Sequence, residues 1–445
     1  MAEQMKPSGI DWIGDIPVSW SITRLKFMLA NEEDSLKVGP FGSSLSATDY
    51  IPEGKWVFNQ RVVLDNNFID NDTCISNEKF QEMKSFSVYP GDILITTRGT
   101  IGKVAIVPQN APQGILHPCI IKFRLNKKLL LPELLKLLFN ETSYAQEQFA
   151  FMNNSTTIDV IYSYSLKNII FPLIPINEQK AIYAFLHKKC AQIDSIAADL
   201  EKQIALLQQY KKSLITETIT KGLDKSVPMK DSGIEWIGEI PVYWDVEPIK
   251  YRVTFHNGDR GENYPSKSEL QSEGIPFINA GHLQDDGLNM DNMDYISEEK
   301  YRTMGGVKLR SGDILYCLRG SVGKNAIVDM NQGTVASSLV AIRSVRISAE
   351  YLYYCLNSNI EEVQRYLWDN GTAQPNLSAD NLGKYKICIP PVEEQKAIVK
   401  YLNNICSQID NLIIGKKKQL FTIQQHKKSL IYEYVTGKKR VKEVQ

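Results

Sequence analysis

The sequence predicts an α+β fold. Two mixed, β-rich globular segments alternate with two long helices that pair as an antiparallel coiled coil, giving a pseudo-twofold internal repeat. Three observations predict it. EQKAIYAFLHKKCAQID (178–194) returns 216 residues later as EQKAIVKYLNNICSQID (394–410), identical at ten of seventeen positions. SGIDWIGDIPVSW (8–20) returns as SGIEWIGEIPVYW (232–244), and GDILITTRGTIGKVAIV (91–107) as GDILYCLRGSVGKNAIV (312–328). Apolar residues then recur every seven residues through the stretches that begin with the two EQKAI segments. Self-similarity at a fixed period is the signature of a repeated structural unit.

Taken in chain order, each copy opens on the SGI(D/E)WIG anchor and continues through CISNEKF (74–80) or YISEEKY (295–301). The offset between copies shrinks from 224 to 221 to 216 along the unit, so short insertions separate fixed anchors, and such insertions fall in loops. GDIL, an apolar run, a Gly-containing turn and AIV predict two strands joined by a tight connection. Pro172 and Pro175, and Pro390 and Pro391, sit just before the long helices, where proline closes one element and permits a fresh helical start.

In the first helix Leu186, Ile193, Leu200, Leu207 and Leu214 form the seven-residue series, with Cys190, Ala197 and Ile204 four residues on. In the second the seam is Leu402, Ile409, Ile423 and Leu430, with Cys406, Ile413 and Leu420, interrupted by Lys416. A heptad seam of this length needs a partner helix. The expectation is that the two helices, each of roughly 66 Å at 1.5 Å per residue, pair with each other.

Composition narrows the class. A chain of 445 residues exceeds one ordinary core. The 51 basic and 51 acidic residues cancel, which argues against indiscriminate coating of polyanions but leaves room for a local basic face. Seven cysteines without a CxxC pair suggest neither a disulfide framework nor a zinc site. Cys190 and Cys406 read as buried helix residues. The five histidines are scattered, so no metal site is expected. MAEQMKPSGIDW lacks a signal pattern, and LLLPELLKLLF (129–139) is broken by Pro and charge. A cytoplasmic, non-membrane setting is expected.

RGTIGK (98–103) and RGSVGK (319–324) have two residues between Gly and Gly-Lys where a phosphate-binding loop has four, and Val104 or Asn325 follows where Ser or Thr would bind magnesium. No nucleophile elbow, zinc-binding helix or dinucleotide fingerprint is visible. No catalytic residue is expected, and recognition remains. The copies agree at the anchors and disagree between them, at 21–52 against 245–272 and at 108–170 against 329–386. Gly, Ser, Asn, Arg and Lys in loops suit contacts to phosphates and base edges. The DNA-binding candidates are Lys37, Ser43, Ser44, Asn59, Arg61, Arg98 and Lys103 in the first copy. In the second they are Arg260, Asn263, Asn279, His282, Arg319, Lys324, Thr372 and Gln374. Lys37, Arg98, Lys103 and Lys324 are expected at phosphates; Arg61, Arg260 and Asn279 at base edges.

The order of GPFGSSL, GDIL…RGxxGK, NGTAQPNLS and PxxEQKAI…KKSLI, most of it in duplicate, resembles the specificity subunit of type I restriction–modification systems over essentially the whole chain. The first copy departs at NNSTTIDVIYSYS (153–165), where the second has NGTAQPNLS. The resemblance implies a non-catalytic reader of double-stranded DNA that docks methyltransferase (modification) and restriction (helicase-nuclease) subunits. It implies target recognition domains at 1–174 and 223–390, spacer helices at 175–222 and 391–445, and a basic tail at the end. The target would be bipartite and asymmetric. No cofactor is expected on this chain; S-adenosylmethionine, ATP and Mg would belong to the partners. A DNA-binding scaffold or regulator without modification partners is the alternative.

Overall fold

A computed structural model describes residues 4–41, 44–153, 160–284, 287–368 and 376–441. The chain forms two compact units, Met1–Leu200 with Lys418–Gln445, and Glu201–Lys417. Two continuous helices, Ile176–Lys221 and Val392–Val435, each give one half to either unit.

In the first unit a four-stranded antiparallel sheet runs in the order Leu36–Val38, Ile120–Phe123, Ile93–Thr96, Val104–Ile106. GDIL and AIV are thus the neighbouring strands their sequence predicts, and RGTIGK is the turn between them. A second sheet, Cys74–Ile75, Lys55–Phe58, Gly114–Leu116, Ser87–Val88, contains one parallel pair. Side chains alternate across a strand. Ile93 and Ile95 therefore enter the core shared with the long helices, whereas Leu94 enters a smaller core with Phe58 and Leu116.

The second unit repeats this plan. Its main sheet is Val253–Asn257, Leu339–Ser344, Ile314–Cys317, Asn325–Ile327. Asp294–Ile296, Ile275–Ile278 and Thr334–Val335 form the second sheet. Ile314 and Tyr316 face the helix core, and Leu315 and Cys317 the smaller one.

The repeated motifs are the joints of this framework. The buried Asp92 of GDIL accepts from Arg124 at 2.6 and 3.0 Å, and Asp313 from Arg343 at 2.7 and 2.8 Å. Trp20 Nε1 donates to Glu178 at 2.9 Å, and Trp244 Nε1 to Glu394 at 2.9 Å. The IPVxW anchor thus holds the glutamate that opens each long helix. The next residue ties the helix to its globular part: Gln179 donates to the carbonyls of Leu129 and Ile174 and accepts from Leu131 N–H. Gln395 likewise donates to Pro390 O and accepts from Ser348 N–H.

The long helices pack antiparallel. Phe185 meets Tyr434 with ring centroids 4.7 Å apart, Asp194 pairs with Lys427, Gln203 with Lys416, and Lys211 with Asp410, so one number rises as the other falls. Leu186, Ile193, Leu200, Leu402 and Ile409 are buried along the seam. Leu207, Leu214, Ile423 and Leu430 are half-buried, and Leu430 packs against the first unit's core. Ile215 and Ile219, and Ile431 and Val435, are buried near the helix C-termini instead. A strict seven-residue series drifts by about 20° per heptad around a straight helix, so beyond Leu207 and Ile423 the contact moves to the neighbouring position. Lys416, the residue that breaks the apolar series, turns its ammonium to Gln203 at 2.5 Å.

Within the blocks that read as divergent, strand register aligns one stretch. Val38 pairs with Ile121 as Asn257 pairs with Val340, so KVG (37–39) and HNG (256–258) align in register. A Cβ on Gly39 would lie 2.1 Å from His117 O, and one on Gly258 2.3 Å from Val335 O. Both positions accept only glycine. Ser46 with Asp49 and Ser266 with Glu269 then form the same capping box. The copies share these anchors, while the side chains between them differ.

Candidate nucleic-acid interface

The candidate loops hang from strand ends of the two sheets in each unit. In the first unit the Arg98 turn joins two buried strands, with Gly99 and Gly102 at φ +64° and +76° letting the chain reverse. Arg98 is exposed and its backbone bridges Val160. Arg319 is equally exposed and bridges Asn376. Neither guanidinium has an ion pair among the described residues.

Lys103 and Lys324 part company. Lys103 donates its ammonium to Asn140 O at 2.5 Å, so it fastens the turn to the helix Pro132–Glu141. Lys324 stays on the exposed side, at a depression of about 980 Å³ in the second unit.

The asparagines expected to face DNA are engaged within the fold. Asn59 accepts from Val62 N–H and donates to Thr73 Oγ1, both at 3.1 Å. Asn279 accepts from Gly281 N–H at 2.8 Å and donates to Asp294 at 2.9 Å. His282 is buried, and its Nδ1 accepts from Asn279 N–H. These groups cap the short helices after EGKWVF and EGIPFI, a use that competes with base contact. Asn263 donates to Thr303 O at 3.1 Å.

Lys37 is held by Asp34 at 3.1 Å and stands 5.5 Å from the Phe86 ring centroid. Arg61 is exposed, with Asp65 and Asp72 only at 3.6 and 3.8 Å. Ser44 is exposed, its N–H donating to Phe41 O. Ser43, Thr372 and Gln374 lie outside the described residues.

The structure brings Arg260 and Arg319 together. They line a cleft of about 300 Å³ with Asn257, Asn376, Ser378 and Asp380. Asp259, beside Arg260, turns its carboxylate to backbone N–H groups. Its carboxylate accepts from Gly261 N–H at 2.7 Å and Gly305 N–H at 2.8 Å, and those bonds hold its pKa below the ordinary value. Asn257 and Asp380 were not singled out in the sequence. The signal for Asn257 was the shared glycine of KVGPFG and HNGDRG, which places it beside Arg260.

Among the described residues no group of three His, Cys, Asp or Glu could hold a metal ion, and no helix is long and apolar enough to cross a membrane. The architecture and loops now stand beside known proteins. The family model for the type I restriction modification DNA specificity domain matches residues 42–206 and again 254–421. The type I restriction enzyme MjaVIII specificity subunit of Methanocaldococcus jannaschii is 27% identical over 81% of this chain and 81% of its own length. The putative type I restriction enzyme MjaX specificity subunit of the same organism is 28% identical over 97% and 96%. A chain solved in work on complex assembly and conformational transition of the type I R-M system superposes with a TM-score of 0.65 at 18% identity, covering 94% of this chain and 98% of that one. That likeness shows the shared fold. Two successive matches spanning most of its length establish that this chain belongs to the type I restriction–modification DNA specificity family.

Proposed function

We propose that the chain is the DNA-reading component of a type I restriction–modification complex, and that its two units read the two parts of a bipartite, asymmetric target. The observation that carries this reading is the split between framework and loops. Tryptophan–glutamate, aspartate–arginine and glutamine–carbonyl ties recur in both units, whereas side chains on the corresponding loops differ. A pair of identical readers would have identical loops.

On this reading the chain transfers no methyl group and cuts no DNA. Methyltransferase and restriction subunits dock on it and carry the S-adenosylmethionine, ATP and Mg chemistry, in the cytoplasm. Incubation of the purified chain with S-adenosylmethionine and DNA is expected to transfer nothing. Exchanging residues 21–170 for the matching region of another family member, followed by methylation mapping in cells, is expected to change one half of the target only. Methyl transfer by the pure chain, or a change in both halves, would overturn it.

A further inference from the structure

Hydrogen-bond register aligns the two units residue by residue at their strand-end loops. Ile161 N–H donates to Thr97 O as Leu377 N–H donates to Leu318 O, so Val160 corresponds to Asn376, Tyr162 to Ser378 and Tyr164 to Asp380. Val38 corresponds to Asn257, and Phe41 to Arg260, each two residues past the tightly packed glycine. Five positions are therefore polar in the second unit and apolar or aromatic in the first. Arg98 and Arg319, by contrast, are arginine in both.

The first unit leaves its aromatics in the open. Phe41 is 87% exposed, Tyr162 64% and Tyr164 74%. Exposed aromatic side chains on loops that correspond to the second unit's cleft suit an interaction surface. In the second unit the cleft combines the Arg260 and Arg319 guanidiniums with the Asp380 carboxylate. It suits a base pair that offers acceptors and a donor side by side, which in the major groove is G·C: guanine N7 and O6 accept, and cytosine N4 donates. Phenylalanine and valine suit the one apolar feature of the groove, the thymine methyl.

Resting on the DNA-reading function above, we infer that these five paired positions set the base preference of each unit: a G·C pair read by Arg260 and Asp380, and a thymine methyl met by Phe41, Val38 and Val160. Arg98 and Arg319, kept in both units, contact the backbone that every sequence shares.

The test is selection from a randomised duplex pool by the full-length chain, together with any subunits that co-purify with it. Wild type is expected to enrich an asymmetric bipartite sequence. Arg260→Ala should lose roughly 5- to 150-fold discrimination at one G·C pair in one half and none in the other. Replacing thymine by deoxyuracil in the other half removes only a methyl, and should weaken wild-type binding about fourfold. Phe41→Ala should be indifferent to that change. Unaltered preference in folded Arg260→Ala, equal relaxation of both halves, or wild type indifferent to uracil would overturn the assignment. If wild type enriches no sequence at all, the DNA-reading function itself fails, and the assignment with it.

Discussion

Lys211 places its ammonium 2.7 Å from both carboxylate oxygens of Asp410 on the opposite helix, and Lys427, 216 residues later, takes Asp194 in the same way at 2.8 and 3.0 Å. Both lysines stand where the apolar seam would otherwise continue between Leu207 and Ile215, or between Ile423 and Ile431. A polar residue at such a position fixes register at some cost in stability.

A double-mutant cycle on Lys211→Met and Asp410→Leu measures this. The side chains are 28% and 46% exposed, so solvent screens the pair, and the expected coupling is about 0.5–1 kcal/mol in thermal denaturation. The double variant is expected to be about as stable as wild type. A coupling indistinguishable from zero would make the pair incidental.

Asp313 is buried against the better-exposed Arg343, and its carboxylate also accepts from Arg310 N–H. Asp313→Ala strands a guanidinium beside the main sheet. The expected loss is about 3–5 kcal/mol for the second unit, read as a lowered urea midpoint, with Asp92→Ala doing the same in the first unit.

Gly39→Ala and Gly258→Ala drive a methyl into carbonyl oxygens at 2.1 and 2.3 Å. Backbone cannot yield as a flexible side chain would. Each is expected to cost about 1–3 kcal/mol or more, whereas Gly9→Ala, with open space around it but φ +76°, is expected to cost about 1 kcal/mol from strain alone.

Acid titration should expose one capping box. The hydrogen bond from Lys300, 2.8 Å away, and then those from Ser266 hold the Glu269 carboxyl down to about 2. A folded-state pKa below the ordinary value of 4.5 means stability that is present above that value and lost as pH falls toward 2. The difference in melting temperature between wild type and Glu269→Gln is expected to be constant near neutrality and to vanish by about pH 2. A difference that grows on acidification would refute the assignment.

The duplicated anchors were legible because each carries the same bond in both units: tryptophan to glutamate, and glutamine to the carbonyl five residues before it. The loops were harder to read. KVGPFG and HNGDRG share two glycines and little else, and only strand register shows that Phe41 answers to Arg260. Asn59, Asn279 and Lys103 looked like free polar groups because sequence does not reveal which hydrogen bonds are already made inside the fold. The heptad series and the buried face coincide at Leu200 and Ile409, and further along the first helix accumulated rotation shifts the fullest burial to Ile215.

The first unit is assembled from Met1–Leu200 and Lys418–Gln445, with Ile431 and Val435 wholly or nearly buried in the same core as Leu25 and Phe171. Domains usually form in the order in which they leave the ribosome. Here the order inverts. The second unit has all its pieces once residue 417 has emerged, while the earlier-made one still waits, its apolar face uncovered, for a segment some two hundred residues downstream. Chains truncated after Lys417 and released from the ribosome should therefore show a protease-resistant second unit and a first unit still open to cleavage.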